Sequence, residues 1–168
     1  MIPTGPVGVP AARTTGPAVP TLAARQAALV AALAAGAPPP PGFAPEPLAA
    51  ARRALLRKRA GEVARNWPLL AAGLGPRWPE VFGRWAEGRP TAGAHRDGWD
   101  LARDLRAVGE LPPLGAEELA VWQAGHRYPK PGRPPRPRRL PSWGHAGSAV
   151  AIQFAGRVRL LRPARRRP

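Results

Sequence analysis

Apolar residues recur along most of this chain at helical spacing. Leu22, Leu29, Val30 and Leu33, with Gln26 in the same register, predict a first helix; Thr21 stands where an N-cap is wanted and Gly36 where a helix ends. Pro38 to Pro41 make a stiff connector. A second helix is expected from a first turn at Pro47 to about Asn66. Leu48, Ala51, Leu55, Leu56, Ala60 and Val63 line one side of it, and Arg52, Arg53, Arg57, Lys58, Arg59 and Arg65 cover much of the rest. Pro68 closes this helix and opens a short third one ending near Gly73. Pro76 opens a fourth, whose Trp78, Phe82 and Trp85 form one stripe before Gly88 and Pro90 stop it. Asp97 is the expected N-cap of a fifth helix, with Asp100 at N3, Leu101, Leu105 and Val108 buried, and Gly109 at its end. Residues 115–126 predict a short sixth helix carrying Leu119 and Trp122.

The period then changes from helical to two. Residues 129–141 have no apolar pattern, but Val150, Ile152 and Phe154 alternate, Ala155-Gly156 is a turn, and Val158 and Leu160 alternate again. The expected fold is therefore mainly α: a small helical bundle with a C-terminal β-hairpin and disordered Pro/Gly/Arg-rich arms. Its expected parts are an arm over 1–20, a helical domain over 21–126, a basic Pro-rich linker over 127–147, a hairpin over 148–162 and a basic tail over 163–168. Because all predicted helices end before Tyr128, a chain cut there is expected to keep its core, with the hairpin docking on that core or on a partner.

Composition sharpens this picture. The 168 residues include 25 Pro and 19 Gly, enough to suggest low-complexity arms, yet also six Trp and 44% hydrophobic residues, too many for a wholly disordered chain. There are 26 basic and 10 acidic residues, a net charge of +16. Residues 127–168 hold twelve basic residues and no acidic one, so this segment should stay extended until a polyanion or acidic surface screens it. No cysteine is present, which excludes disulfides, thiolate metal sites and a thiol nucleophile. Three histidines, His95, His126 and His145, are too few for a multi-His metal site. No stretch has the length of a membrane span and no signal peptide is evident, so a cytoplasmic location is expected.

Candidate chemistry is sparse. Asp100 and Asp104 lie one turn apart, but Arg96, Arg103 and Arg106 beside them make a solvated ion-pair face the simpler reading. Five of the six Trp fall on or beside expected buried faces; Trp143 lies outside any helix and is a candidate contact residue. His126 at a helix end suits an imidazolium facing the helix dipole. No phosphate-cradling glycine motif follows a strand, so no catalytic residue, metal site or cofactor is expected. The candidate contacts for a partner or polyanion are Arg52, Arg53 and Arg57 on the second helix, Arg136, Arg138, Arg139 and Trp143 in the linker, and Arg157 and Arg159 in the hairpin.

One stretch has a recognisable order. Arg52-Arg53, Leu55, Trp67-Pro68, Gly73-Leu74-Gly75, Trp78, Phe82, Trp85, Arg89-Pro90, Asp97-Gly98-Trp99 and Leu101 to Leu105 follow one another over residues 47–126. This resembles the helical partner-protein family, labelled a DNA-binding domain, that accompanies multinuclear non-haem iron oxidative enzymes of the methanobactin-biosynthesis type, in its actinobacterial form. Trp67 stands where that family usually has Phe, and Trp85 where it often has Tyr. The resemblance implies a non-catalytic adaptor whose partners are an iron-dependent peptide-modifying enzyme and its ribosomal precursor peptide, the iron ligands belonging to the enzyme. The alternative is a small basic DNA-binding or regulatory protein, with non-specific nucleic-acid affinity in the tail.

Overall fold

A computed structural model of the protein describes residues 20–128 and 135–161. The arm expected over 1–20 (Pro20 apart), part of the expected linker, Arg162 and the tail over 163–168 lie outside the described residues. The chain is mainly α. Six helices come first: α1 Leu22–Ala35, α2 Pro45–Asn66, α3 Pro68–Leu74, α4 Trp78–Ala86, α5 Ala94–Ala107 and α6 Pro113–Gly125, with a 3-10 turn at Gly75–Arg77. Strands follow: β1 His126–Arg127 pairs with β2 Arg136–Pro137, and β3 Ser142–Ala146, β4 Ala149–Phe154 and β5 Arg157–Leu161 form an antiparallel sheet in that order.

The helix ends follow local chemistry. Thr21 Oγ1 accepts from Ala24 N at 3.2 Å, and Gly36 closes α1 with φ of 72°. Helix α2 starts two residues before the expected Pro47, since Pro45 also suits a first turn. Its buried side is Leu48, Ala60 and Val63, with Leu56 half-buried, whereas Ala51 and Leu55 face solvent. Helix α4 begins at Trp78 rather than at Pro76, which is absorbed into the 3-10 turn.

Helix α5 departs furthest from expectation. It begins at Ala94 behind Gly93, so Asp97 lies inside the helix rather than capping it. Asp97 is buried and accepts three hydrogen bonds instead: from Arg59 Nε at 2.8 Å, Thr91 Oγ1 at 2.9 Å and Ala92 N at 3.0 Å. A buried carboxylate persists when it is paired and fully bonded, and here it ties α2 and the 91–92 loop to α5. Val108, expected to be buried, is 69% exposed because the helix has ended beneath it.

The core is aromatic. Trp67 is fully buried, donates from Nε1 to His95 O at 3.1 Å and meets Trp99 edge-on with centroids 6.5 Å apart. Gly98 makes this possible: a Cβ there would collide with the Trp67 indole, so glycine lets α5 lie directly against it. Phe82 and Trp78 fill the α4 side, and half-buried Trp85 donates to Asp104 Oδ2 at 2.9 Å. Helix α6 supplies the cap that α3 lacks, since the buried Glu118 carboxylate accepts from Leu70 N at 2.8 Å.

The C-terminal strands are more than a hairpin, because β3 adds a third strand inside the segment expected to be linker. In β4 the buried set is Ala149, Ala151 and Gln153, whereas Ile152 and Phe154 of the alternating apolar set point to solvent. The inner face packs on α6. Ala146, Ala149 and Ala151 join the same apolar core as Ala116, Ala120 and Ala124 of α6, and Ser142 Oγ donates to Ala124 O at 2.6 Å. The sheet is thus part of the core, against the expectation that a cut at Tyr128 spares it. Two residues of positive φ, Ala155 at 50° and Gly156 at 76°, make the tight β4–β5 turn.

Candidate partner-binding face

With alanines, Gly144 and Gln153 turned inward, strand alternation sends the larger side chains out. Cross-strand register places Trp143, Ile152 and Arg159 in one row, His145, Val150 and Leu161 in the next, and Phe154 beside Arg157 at the far end. Trp143 is 66% exposed, Phe154 67%, Leu161 50% and Ile152 44%, and Trp143 and His145 stack at 5.3 Å along the edge. Four large apolar side chains on one small sheet, rimmed by two arginines, are more than a free surface needs. Ile152 and Phe154, read from the sequence as the alternating apolar residues of a hairpin that docks on the core or on a partner, lie on this outer face, away from the core. Trp143, Arg157 and Arg159 were expected as contacts, and the fold brings all three together.

The remaining expected arginines divide into two groups. Arg138 caps α6: its backbone N donates to Gly125 O at 2.8 Å and its Nε to His126 O at 3.2 Å. Arg136 pairs across to Arg127, and Arg139 is exposed beside them, so this cluster lies at the α6 end of the sheet. Arg52, Arg53 and Arg57 lie elsewhere, on α2, which packs on α1, α4 and α5. Arg52 is half-buried with its guanidinium against Gly36, while Arg53 and Arg57 are exposed.

A cleft of about 330 Å³ opens between α5, the end of α6 and β3. Its walls include Trp99, Arg103, His126, Tyr128, Arg138 and Trp143. Trp99 stacks on Tyr128 with centroids 3.8 Å apart and planes 17° apart. Burial, and then the charge of His95, hold the His126 imidazole below its usual pKa, so it is a poor imidazolium; this corrects the dipole role expected for it. Burial pushes the Tyr128 phenol up to about 12, with Arg96 opposing and Asp100 adding to the shift. Burial likewise raises Glu118, against the pull of its bonds from Leu70 and Leu69. Sequence reasoning placed Trp99 in the core, gave Arg103 to an ion-pair face and assigned Tyr128 no contact; the packing of α5 against α6 brings the three together, and β3 adds Trp143 to the same cleft.

Asp100 and Asp104 do not form a carboxylate pair. Asp100 bonds Arg96 Nε at 2.7 Å, and Asp104 accepts from Arg89 at 3.0 Å. Among the described residues no group of three or more His, Asp or Glu could hold a metal ion, and no helix is long and apolar enough to cross a membrane.

Comparison with known proteins places this architecture. A UPF0276 protein of Streptomyces avermitilis is 39% identical over 132 residues, a match that covers 76% of this chain and 27% of the relative. The chain therefore spans little more than a quarter of that relative's length. No solved structure matches. The family profile described as SCO6045-like, C-terminal domain, matches residues 23–107, from α1 through the end of α5. The chain belongs to the family of SCO6045-like C-terminal domains.

Proposed function

We propose that this chain is a non-catalytic adaptor, which binds a multinuclear non-haem iron oxidative enzyme and helps present that enzyme's ribosomal precursor peptide. The observation that carries this reading is the match to a much longer relative, in which a region like this chain is joined to a far larger polypeptide. Segments fused in one protein commonly work in contact when they are separate in another. The family's description as a C-terminal domain points the same way. The identity of the enzyme and of its substrate rests on the sequence resemblance of residues 47–126.

The sheet supplies suitable surfaces. Its outer face has the apolar centre and arginine rim of an interface. Strand β5 is at the edge of the sheet, so an extended peptide can add to it through main-chain hydrogen bonds, and Arg157 and Arg159 favour an acidic one. A second reading, a small DNA-binding protein, has the exposed Arg53, Arg57 and Lys58 of α2 in its favour. Binding through such a surface would be weak, sequence-independent and lost with salt.

The test is calorimetric titration of the full chain into an iron enzyme encoded beside it. Replacing both Ile152 and Phe154 by Asp should weaken binding by about tenfold or more, whereas Arg53→Gln with Arg57→Gln should leave it nearly unchanged. The chain alone should turn over no peptide. Absence of binding by the unaltered chain overturns the adaptor reading. A sequence-specific DNA complex that resists salt and needs the α2 arginines establishes the second one.

A further inference from the structure

We propose that the open face of the β3–β4–β5 sheet binds unpaired RNA, with bases stacked on Trp143 and Phe154 and phosphates held by arginines on the two sides. What a ligand can reach comes first. Trp143 is 66% exposed and Phe154 67%. They stand on neighbouring strands of one face, and since Trp143 lies opposite Ile152, the register sets Phe154 diagonal to it. Diagonal neighbours on a sheet face are about 7–8 Å apart. This is about twice the roughly 3.4 Å rise between stacked bases, so the pair suits two splayed bases rather than a stacked run. His145 stacks on the Trp143 indole at 5.3 Å and supports it from one side. A hollow of about 660 Å³ lies over β4 and β5 beside Phe154, walled by Ile152, Arg157, Arg159 and Leu161. It has the size of a small-ligand cleft.

Charge selects a polyanion. Arg157 and Arg159 stand on β5 and share this face. At the opposite edge Arg106 of α5 donates to His145 O at 3.0 Å and lies 3.2 Å from His145 Nε2, which fixes a third guanidinium beside β3. Cations thus flank the aromatic centre on both sides, and residues 127–168 hold no acidic residue to oppose them. A basic track for the backbone and aromatic faces for the bases are the two parts of a single-strand site. A duplex hides its base faces in its own stack, whereas RNA offers them in loops and ends. Base edges find no reader here, because the one amide of these strands, Gln153, is turned inward and buried. The site is therefore tolerant of sequence. It goes beyond the adaptor reading and does not rest on it. A protein partner would cover the same side chains, so the two ligands would compete.

The experiment titrates the full chain into a labelled twelve-nucleotide RNA, alone and annealed to its complement, and follows fluorescence anisotropy at about 0.15 M salt. The duplex carries the denser charge, so electrostatics alone favours it. The single strand should nevertheless bind the tighter. Trp143→Leu with Phe154→Leu should weaken single-strand binding by about tenfold or more and leave duplex binding unchanged. Both side chains are exposed, so this variant should keep the melting temperature of the unaltered chain. Arg157→Gln with Arg159→Gln should weaken single-strand binding and flatten its dependence on salt, whereas Arg53→Gln with Arg57→Gln on α2 should leave it as it was. Equal or tighter binding of the duplex, or full single-strand affinity in the aromatic variant, reduces the effect to bulk charge and overturns the proposal, as does an absence of binding. Single-strand binding with no enzyme complex removes the adaptor reading and leaves this site; an enzyme complex with no single-strand binding makes the face a protein interface and does the reverse.

Discussion

Gly144→Ala should unseat the sheet from α6. A Cβ at this position would meet Gln123 Cβ at 2.6 Å and Ala124 N at 2.7 Å, and would come closer still to Ala120 O. Two of these three are backbone atoms of α6, which cannot swing aside as a side-chain tip can. Strand β3 must instead withdraw, opening gaps around Ala146, Ala149 and Ala151. Overpacking of this kind costs about 1–3 kcal/mol, and the rigid partner puts Gly144 near the upper end. A loss of about 3 kcal/mol lowers the melting temperature by roughly 10 °C in a domain of this size. Gly83→Ala is the control, because Gly83 lies within α4 with nothing near its missing Cβ. It should raise stability by about 0.5–1 kcal/mol through helix propensity alone. Thermal melts followed in parallel by far-ultraviolet circular dichroism and tryptophan fluorescence read both. An unchanged melting temperature for Gly144→Ala, with Gly83→Ala moving as stated, would refute close packing of sheet on helix. A helical melt that stays put while only fluorescence near Trp143 changes would show instead that the sheet is a separable unit.

Glu118→Ala should cost about 1–3 kcal/mol, since it leaves the buried Leu70 N–H without an acceptor, whereas Glu118→Gln keeps an oxygen there and should cost less; chemical denaturation compares them, and equal losses would remove the cap from the account. Stability should also fall as the pH drops below about 6.5, because unfolded His126 takes up a proton there and the folded imidazole, held low by burial and then by His95, resists it. That contribution is complete above the unfolded pKa, so His126→Phe should flatten the acid side of a plot of melting temperature against pH; identical slopes would count against it.

Much of the helical part was legible from local chemistry. Thr21 and Gly36 mark the ends of α1 by capping rules that need no neighbour, and the Trp78–Phe82 spacing announces a buried stripe whatever packs against it. The burial of Trp67 and Trp99 follows from size and apolarity alone. The net charge and its concentration beyond residue 127 are likewise properties of the sequence.

What the chain could not declare locally are relations between distant segments. Asp97 reads as an N-cap, and becomes a buried anchor because Arg59 arrives from α2. Arg157 and Arg159 share a face with Trp143, while Arg53 and Arg57 do not, and only the route of the chain decides this. The β4 phase is the plainest case. Alternation offers two sets, and hydrophobicity favours burying Val150, Ile152 and Phe154 over Ala149, Ala151 and Gln153. Yet α6 presents the small stripe Ala116, Ala120 and Ala124, and Gly144 brings β3 onto the helix backbone itself. Large side chains have no room in that contact, so they turn outward and make the exposed face. Apolarity sets which residues gain from burial, but the space available is fixed jointly by two surfaces far apart in the chain.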